Sequence, residues 1–405
     1  MRVRLSIASL VALAACGEPF DPPSRVDKLR LLAIRAEAPE IAPPVRGEDG
    51  APLDPQPEGH APDRTALTAL VADPLQLADP AREVTVVYLG CTPEPGSVEA
   101  NLCSLIETYA DPTQLAALLS AGGGSCAGGG GSGMGPIGEG VIGGVNFAGV
   151  ESCDHELGCR QAEVTVGGLP LALPTPTYVL PAAFELDALP AGHPQRTLGV
   201  QVTMIAIAVA ASPQELVEGA DPADDCAFVT KVSDNLARLL EERERLTAIK
   251  RVQVRGPDND DEVNVNPEIA GIRAAGAVLP AELPDPPPAE AIFRRGQEVK
   301  LLPLLPAGPD GQPLSSDRLY QPFTRYDGEG KPFRDEREAW VWSWFTTGGA
   351  FERERTRAAD QEQVWFTTGE DDDLAVPADG RVFLYGVVRD ARGGIAWVRR
   401  EVRVE

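Results

Sequence analysis

Apolar and polar residues alternate with a period of two in many short segments of this chain, which is the pattern of half-buried β-strands. In the first 256 residues the pattern predicts strands over residues 29–36, 65–72, 83–91, 162–166, 178–186 and 197–210, and it returns at Val252 and Val254. Further along it predicts strands over residues 269–275, 297–305, 340–345 and 364–367, and a hairpin of residues 381–389 and 395–404. The loop of this hairpin, residues 390–394, contains glycine where a positive φ is needed. Short strands separated by turn residues favour β-sandwiches.

Helical spacing is found in two segments. Residues 224–245 place Phe228, Val232 and Leu236 on one stripe, which predicts an amphipathic helix packed on a sheet. Residues 111–119 begin with Asp-Pro, a helix cap followed by proline at the first helical position, and predict a short helix. A glycine-rich run over residues 122–144 predicts a mobile loop, because glycine loses the most entropy on ordering.

These elements predict a mainly β fold with two β-sandwich, immunoglobulin-like domains, the first elaborated with helices and the glycine-rich loop. We expect the first domain over residues 28–256, an acidic linker over 257–268 and the second domain over 269–405. The 405 residues are long enough for two or three cores.

Tryptophans stand at alternate positions 340, 342 and 344, and Asp379-Gly380-Arg381-Val382-Phe383-Leu384 leads into the closing hairpin. This arrangement resembles immunoglobulin-like sandwiches, including the PKD-type modules of bacterial surface proteins. It departs from them in having no cysteine pair and in placing Val382 where many such folds have a corner tyrosine. The resemblance therefore implies architecture and no activity.

A short apolar run over residues 5–15 follows Arg2 and Arg4 and ends in Leu13-Ala14-Ala15-Cys16. A basic start, a short core and small residues before the cut predict a secretory signal over residues 1–15. A run of eleven residues would span about 17 Å as a helix, less than a bilayer core of roughly 30 Å. One interpretation is an ordinary signal peptide that is followed by an unrelated cysteine.

The cysteine directly after Leu-Ala-Ala resembles the lipobox of bacterial lipoproteins. The resemblance implies that Cys16 becomes the acylated, palmitate-bearing first residue of the mature chain. It also implies that residues 16–27 form a proline-containing tether and that the protein is held in the cell envelope by lipid. Gly17, in place of aspartate, implies the outer membrane.

The six cysteines that follow Cys16 all lie between residues 91 and 226, and they are Cys91, Cys103, Cys126, Cys153, Cys159 and Cys226. An even number in an exported chain predicts up to three disulfides. The sequence favours Cys153–Cys159, which closes a small loop, and suggests Cys91–Cys103 as a second pair.

The chain has a formal net charge of −25. Such an acidic surface argues against nucleic-acid binding and against electrostatic docking on anionic lipid. It favours cations or basic partners.

The most oxygen-rich segment is Asp258-Asn259-Asp260-Asp261-Glu262-Val263-Asn264-Val265-Asn266. Calcium takes six to eight oxygen ligands of this kind, and the segment resembles the Asp/Asn-rich calcium linkers between cadherin repeats. The candidate calcium ligands are Asp258, Asp260, Asp261, Asn264 and Asn266. The alternative is a polar linker whose side chains bond to nearby backbone. The acidic run over residues 370–373 favours a solvated loop.

Motifs for catalysis are weak. The G-x-G-x-x-G match over residues 133–138 follows no predicted strand and lies in a glycine run, so it does not indicate a dinucleotide site. The histidines are His60, His155 and His193, and no G-x-S-x-G is present. Zinc on Cys153, His155 and Cys159 is an alternative to the disulfide. The alternating tryptophans fit either a sandwich core, which we favour, or a carbohydrate platform.

Two classes of function remain open. The first is an envelope lipoprotein without catalysis that acts as a structural, adhesive or binding module for another envelope protein or a glycan. The second is a surface-anchored hydrolase or an accessory subunit of an envelope enzyme. The missing catalytic spacing favours the first class.

Overall fold

The computed structural model describes residues 24–47, 51, 53–79, 81–97, 145–154, 158–166, 168–221, 225–284, 286–367 and 376–405. Cys16, the helix predicted over 111–119, the glycine-rich run, His155 and the acidic run 370–373 lie outside these residues. The predictions made for them stay predictions.

Within the described residues the N-terminal unit contains eleven strands and four helices. The strands are β1 (Arg30–Ala36), β2 (Glu40–Ile41), β3 (Arg64–Ala72), β4 (Val84–Cys91), β5 (Val145–Asp154), β6 (Gly158–Gln161), β7 (Glu163–Val166), β8 (Leu169–Ala172), β9 (Thr177–Val179), β10 (Val200–Val209) and β11 (Arg245–Val254). The helices are α1 (Leu75–Ala78), α2 (Pro194–Leu198), α3 (Pro213–Leu216) and α4 (Asp225–Glu242). The long predicted helix is thus confirmed as α4.

The C-terminal unit also consists mainly of strands. Its strands are β12 (Gly271–Ala274), β13 (Ala277–Val278), β14 (Ile292–Phe293), β15 (Glu298–Leu304), β16 (Pro322–Tyr326), β17 (Pro332–Arg337), β18 (Val341–Thr346), β19 (Ala350–Phe351), β20 (Arg355–Thr356), β21 (Gln363–Phe366), β22 (Arg381–Arg389) and β23 (Ile395–Val404). A 3₁₀ helix (Ala289–Ala291) and α5 (Ser316–Leu319) complete it. The mainly β prediction is confirmed.

Two predicted strands are shorter in the structure. The strand expected over 178–186 is β9, which ends at Val179, because Phe184 donates its N–H to the carbonyl of Pro181 in a turn. The strand expected over 197–210 begins at Val200, because His193 caps α2 and Pro194 occupies its first turn. Pro181 has no N–H to donate to a strand ladder, and Pro194 favours the first turn of a helix.

The N-terminal unit has three layers. A three-stranded sheet of order β1-β3-β9 packs on one face of a six-stranded sheet of order β2-β11-β10-β4-β5-β6, and α4 covers the other face. Strand β10 shows why: Val202, Met204 and Ala206 enter the core between the sheets, whereas Ile205 and Ile207 pack against the α4 stripe. A strand buried on both faces has a nearly continuous apolar sequence.

Two five-stranded sheets, of orders β13-β12-β15-β21-β19 and β14-β23-β22-β18-β20, share the core of the C-terminal unit. Trp342 and Trp344 are fully buried in it and stack with ring centroids 5.4 Å apart. A Cβ on Gly386 of β22 would lie 3.1 and 3.2 Å from these rings, so glycine makes room for them. The core interpretation of the tryptophans is confirmed, and the carbohydrate platform was wrong, because Trp340 is buried as well.

A fourth apolar cluster, which we call the seam, joins the two units. It contains Val26, Leu32, Ala33, Leu70 and Ala72 from before the linker and Phe383, Tyr385, Val387 and Ile395 from after it. Across it the Arg389 guanidinium donates to the Leu32 carbonyl at 3.0 Å, and Arg35 lies over the Trp397 ring. The units therefore share buried surface in addition to the linker.

A β-bulge gives β1 its two apolar faces. The pairing of β1 with β3 shifts register between Leu31 and Ala33. Leu32 and Ala33 consequently both face the seam, while Ile34 and Ala36 return to the core of the N-terminal unit. A bulge places one extra residue opposite the partner strand and changes the phase of the alternation.

The first described residues belong structurally to the C-terminal unit. The Thr346 N–H donates to the Ser24 carbonyl at 2.9 Å, and the Val26 N–H donates to the Thr346 carbonyl at 2.8 Å, in a parallel bridge at Arg25. Strand β20 pairs with β18 at Trp342 and Ser343, which leaves this end of β18 open. The N-terminal unit thus lies between two segments that bond to the C-terminal sheets.

We expect a charge in the seam to uncouple the two units. Leu32→Asp should lower the free energy of unfolding by about 3 kcal/mol or more, because it buries an unpaired carboxylate. Calorimetry should change from one transition in the wild type to two in the variant. Val278→Asp, at a position 55% exposed, is the control and should leave one transition. Two transitions in the wild type would contradict the shared seam.

Candidate functional site

Charged and amide side chains converge where the linker passes between the two units. This polar junction consists of Glu40, Lys250, Arg255, Asn264, Asn266, Glu338, Asp390 and Arg392. Four residues of this junction are buried although their side chains carry a charge or an amide: Glu40, Lys250, Asn264 and Glu338. Buried charged groups in such a concentration are typical of functional sites.

The loop between β22 and β23 brings Arg392 to the junction. Its first residue, Asp390, accepts the backbone N–H groups of Arg392 at 2.8 Å and Gly394 at 2.7 Å through Oδ1. Gly393 has a φ of +101°, a conformation that side chains disfavour. The predicted need for glycine in this loop is confirmed, and the tight turn directs Arg392 into the N-terminal unit.

Glu40 is the centre of the junction. Its carboxylate accepts the Asn264 N–H at 2.7 Å, Arg255 Nη1 at 3.3 Å and Arg392 Nη2 at 3.2 Å. These partners come from the linker, the end of β11 and the C-terminal hairpin. One buried carboxylate therefore ties three segments together by charge-assisted hydrogen bonds.

Glu338 lies on the other side of the same arginine. Its Oε1 is 3.8 Å from Arg392 Nη1, and its Oε2 accepts the Gln321 N–H at 3.3 Å. Burial raises the pKa of Glu338 to about 7, and the neighbouring Asp390 adds to the rise, whereas Arg392 opposes it. Glu338 consequently changes charge near neutral pH.

Lys250 ties the hairpin loop to β11. Its ammonium donates to the carbonyl of Gly393. Burial lowers the pKa of Lys250 to about 8, although the Asp390 carboxylate favours the charged form. In β11 this lysine shares a face with Val252 and Val254, so a charged residue in the apolar phase of the strand was the sequence signal that could have revealed it.

Three of the five candidate calcium ligands bond to other groups of the protein. Asp258 accepts Arg196 Nε and Nη2, both at 2.8 Å, and Asp261 accepts the Thr324 N–H at 3.0 Å. The Asn266 amide donates to the Ala36 and Glu37 carbonyls and accepts the Ile395 N–H, while Asp260 is exposed. This geometry supports the alternative of a linker that bonds to its surroundings.

Within the described residues, no group of three or more His, Cys, Asp or Glu side chains is arranged to hold a metal ion. Calcium binding by the linker stays a prediction. The disulfide prediction for Cys153–Cys159 is confirmed. Cys91 is also disulfide-bonded. Cys103 and Cys126 and the side chain of Cys226 lie outside the described residues, so the pair Cys91–Cys103 stays a prediction.

The hairpin β16–β17, which we call the arm, covers the linker. The Gln321 amide donates to the Val263 carbonyl, Thr324 bonds to Asp261, and a Cβ on Gly330 at the arm's turn would lie 3.4 Å from Pro194 of α2. The arm therefore reaches from the C-terminal unit back to the N-terminal unit. The arm and the loop between β22 and β23 together enclose the linker.

Two clefts flank the junction. The first, about 580 Å³, lies in the N-terminal unit and is lined by Arg46, His60, Phe184, Asp187 and Arg255 among others. The second, about 570 Å³, lies beside the arm and is lined by Glu268, Arg318, Tyr320, Glu338 and Trp340 among others. Both have the size of small-ligand sites.

The two histidines that the structure describes are in contact with backbone atoms. His60 Nε2 lies 2.9 Å from the Pro43 carbonyl, and His193 Nδ1 accepts the Gln195 N–H at 3.3 Å as the cap of α2. A nucleophilic triad needs a histidine between a hydroxyl or thiol and an acid. Among the residues that the structure describes, neither histidine has such partners.

A separate buried acid lies inside the N-terminal unit. Glu151 Oε2 accepts the Ala69 N–H at 3.0 Å and the Tyr88 hydroxyl at 2.6 Å. Burial raises the pKa of Glu151 to about 7 against these hydrogen bonds. Sequence reasoning missed it, because the alternation predicts no strand over Val145–Asp154 and a single glutamate has no distinguishing pattern.

The sequence matches no model of a protein family, and no curated protein matches it. In the described part of the chain, no helix is both long and apolar enough to cross a membrane. In the junction, the buried Glu40 carboxylate pairs with Arg392 across the two units at 3.2 Å.

Removing Arg392 should show how much the buried Glu40 carboxylate lowers the free energy of unfolding when it loses this partner. We expect Arg392→Ala to lower the free energy of unfolding by about 2–4 kcal/mol, because one partner of a buried pair is left uncompensated. In a Glu40→Gln background the same change should cost clearly less, which a double-mutant cycle by chemical denaturation measures. Lys331→Ala, which removes an exposed pair with Glu329, is the control and should cost at most about 0.5 kcal/mol.

The raised pKa of Glu338 predicts a loss of stability as pH rises. The folded protein holds a proton on this carboxyl up to about pH 7, whereas an unfolded glutamate releases it near its ordinary pKa. From pH 5 to pH 8 the wild type should therefore lose stability relative to Glu338→Gln, by on the order of 1–3 kcal/mol. Urea unfolding at both pH values measures the difference, with Glu218→Gln, an exposed position, as control.

Equal pH dependence in the wild type and Glu338→Gln would show that this carboxyl ionises freely in the folded state. Glu151→Gln should change the pH profile in the same direction, because burial also raises the pKa of Glu151.

Proposed function

We propose that this protein is a lipid-anchored lipoprotein of the cell envelope, held in the outer membrane through Cys16, and that it works as a structural or binding module without catalysis. The lipobox-like Leu13-Ala14-Ala15-Cys16 supports the anchor. The resemblance of the C-terminal strands to PKD-type modules supports a role outside the cytosol. The disulfide between Cys153 and Cys159 fits an oxidising compartment.

The polar junction is the observation that carries the non-catalytic part of the proposal. Two of its buried charges bond to other charges or to backbone: Glu40 to Arg255 and Arg392, and Lys250 to Gly393. Bonds of this kind hold two units in one relative position, which suits a scaffold or an adhesive module that has to keep its surfaces in register.

The partner class follows from charge and anchoring. With a net charge of −25, the protein is suited to basic partners or to a neutral glycan in preference to nucleic acid. Affinity capture from envelope extracts, with the chain after residue 16 as bait, would identify the partner. Capture that persists in high salt would favour a glycan, and capture lost in salt would favour a basic protein.

The anchor can be tested directly. Cells that express the protein and grow with labelled palmitate should incorporate the label, and Cys16→Ser should abolish the label and move the protein from the membrane to the soluble fraction. Cys153→Ser, which removes one half of the confirmed disulfide, is the matched cysteine control and should leave the label in place. Label that is absent from the wild type, or that persists in Cys16→Ser, would overturn the proposal.

A further inference from the structure

The arm contains a strand whose outer edge is uncovered. Strand β17 pairs with β16, and no further strand pairs with it in the part of the chain that the structure describes. Residues 332–335 and Arg337 of this strand are exposed, and Phe333 is 60% exposed. A two-stranded ribbon is at most marginally stable in water by itself, whereas a sheet with more strands is stable. The arm is thus a part of the fold that would be stabilised by a further strand.

The linker holds the arm by its other strand. Thr324 of β16 donates its N–H to the carboxylate of Asp261 at 3.0 Å, and the Gln321 amide donates to the Val263 carbonyl. Strand β16 therefore lies between the linker and β17. This leaves β17 as the outer strand of the arm.

The hydrogen bonds of the arm also define which backbone groups face outward. Glu338 donates its N–H to the Gln321 carbonyl at 3.0 Å, so its backbone points at β16. Backbone groups of successive residues in a strand point to opposite sides, and those of Asp335, three positions earlier, consequently point away from β16. Thr324 lies opposite Asp335 in the ladder and turns its N–H to the linker, in agreement with this phase. Asp335 is therefore the centre of the outer edge.

The arm differs from the rest of the chain in its charge. Residues 322–337 contain four basic and four acidic residues, whereas the whole chain has a formal net charge of −25. Two copies of such an acidic protein repel each other over most of their surfaces. The neutral arm does not add to this repulsion.

The outer strand is complementary to a second copy of itself. In an antiparallel pair with a two-fold axis at Asp335, Arg334 of each copy lies opposite Glu336 of the other copy. The two copies of Asp335 lie opposite each other, which is the arrangement in which both N–H and C=O groups are exchanged. Phe333 of each copy lies opposite Arg337 of the other, and a guanidinium is attracted to an aromatic ring.

Charges on an edge strand commonly prevent pairing, and here they disfavour the neighbouring registers. The two registers that are one step away place Arg334 opposite Arg334, or Glu336 opposite Glu336. In a single copy Glu336 contacts Arg325 at 3.1 Å and also contacts Arg334. Pairing exchanges the contact with Arg334 for the same contact between copies, so neither charge loses its partner.

We propose that β17 is a self-association surface, through which two copies of this chain join their arms into one four-stranded antiparallel sheet of order β16-β17-β17-β16. The inference does not depend on the lipid anchor, and it goes beyond the proposed function because it identifies a second copy as a partner. The paired segment is short, so we expect a dissociation constant on the order of 0.1 mM.

Charge-swapped variants test the pairing in the full chain carrying Cys16→Ser, which removes the proposed acylation site. Sedimentation velocity measures association up to about 1 mM protein. Arg334→Glu and Glu336→Arg should each raise the dissociation constant at least about tenfold, because each places like charges opposite each other. An equimolar mixture of the two variants should form heterodimers about as readily as the parent forms homodimers, since every cross-strand pair then joins opposite charges again.

Two further variants complete the test. Asp335→Asn should lower the dissociation constant, by about two- to fivefold, because this residue faces its own copy. Lys331→Ala lies outside the paired segment, at an exposed contact with Glu329, and should leave the constant unchanged.

A parent chain that stays monomeric at about 1 mM would overturn the proposal. Charge-swapped variants that dimerise as well as the parent would also overturn it, because association would then use another surface. A mixture of the two variants that stays monomeric would overturn it too. The mixture distinguishes lost pairing from a misfolded arm, because two misfolded arms would not recover association when they are combined.

Discussion

The buried carboxylate of Glu40 needs positive partners, and the chain supplies them from the linker side and from the far hairpin. Arg255 and Arg392 both donate to it, and Arg392 lies 352 residues further along the chain. A buried charge left without a partner would cost several kcal/mol. The two units therefore reach full stability only when they are docked, and the linker between them is fixed by the same bonds.

Apolar contacts in the seam hold the two units together in addition to the ion pairs. The bulge at Leu31 and Ala33 lets β1 supply side chains to its own core and to the neighbouring unit. The ion pairs set the register of the two units, and the apolar contacts supply area removed from water. With Ser24 and Val26 bonded to Thr346, the N-terminal unit is held at its beginning, along its side and at its end.

This arrangement gives the acidic linker bonding partners within the protein itself. Asp258 and Asp261 are held by Arg196 and by the backbone of the arm, which are tasks that a cation would perform in a more open linker. Rigid coupling of two β units is a physical basis for a module that keeps its surfaces in a fixed relative position.

The sequence alone determined the elements whose signal is local. Period-two alternation located β22 and β23 at their observed bounds, helical spacing located α4, and the loop glycine Gly393 followed from its turn. Tertiary structure decided the rest: that Glu40, Lys250 and Glu338 are buried, that β1 serves two cores and that residues 24–26 join the C-terminal sheets. The reason is physical. Periodicity records which face of one segment is apolar, whereas the fate of a charge depends on partners that only folding brings within bonding distance.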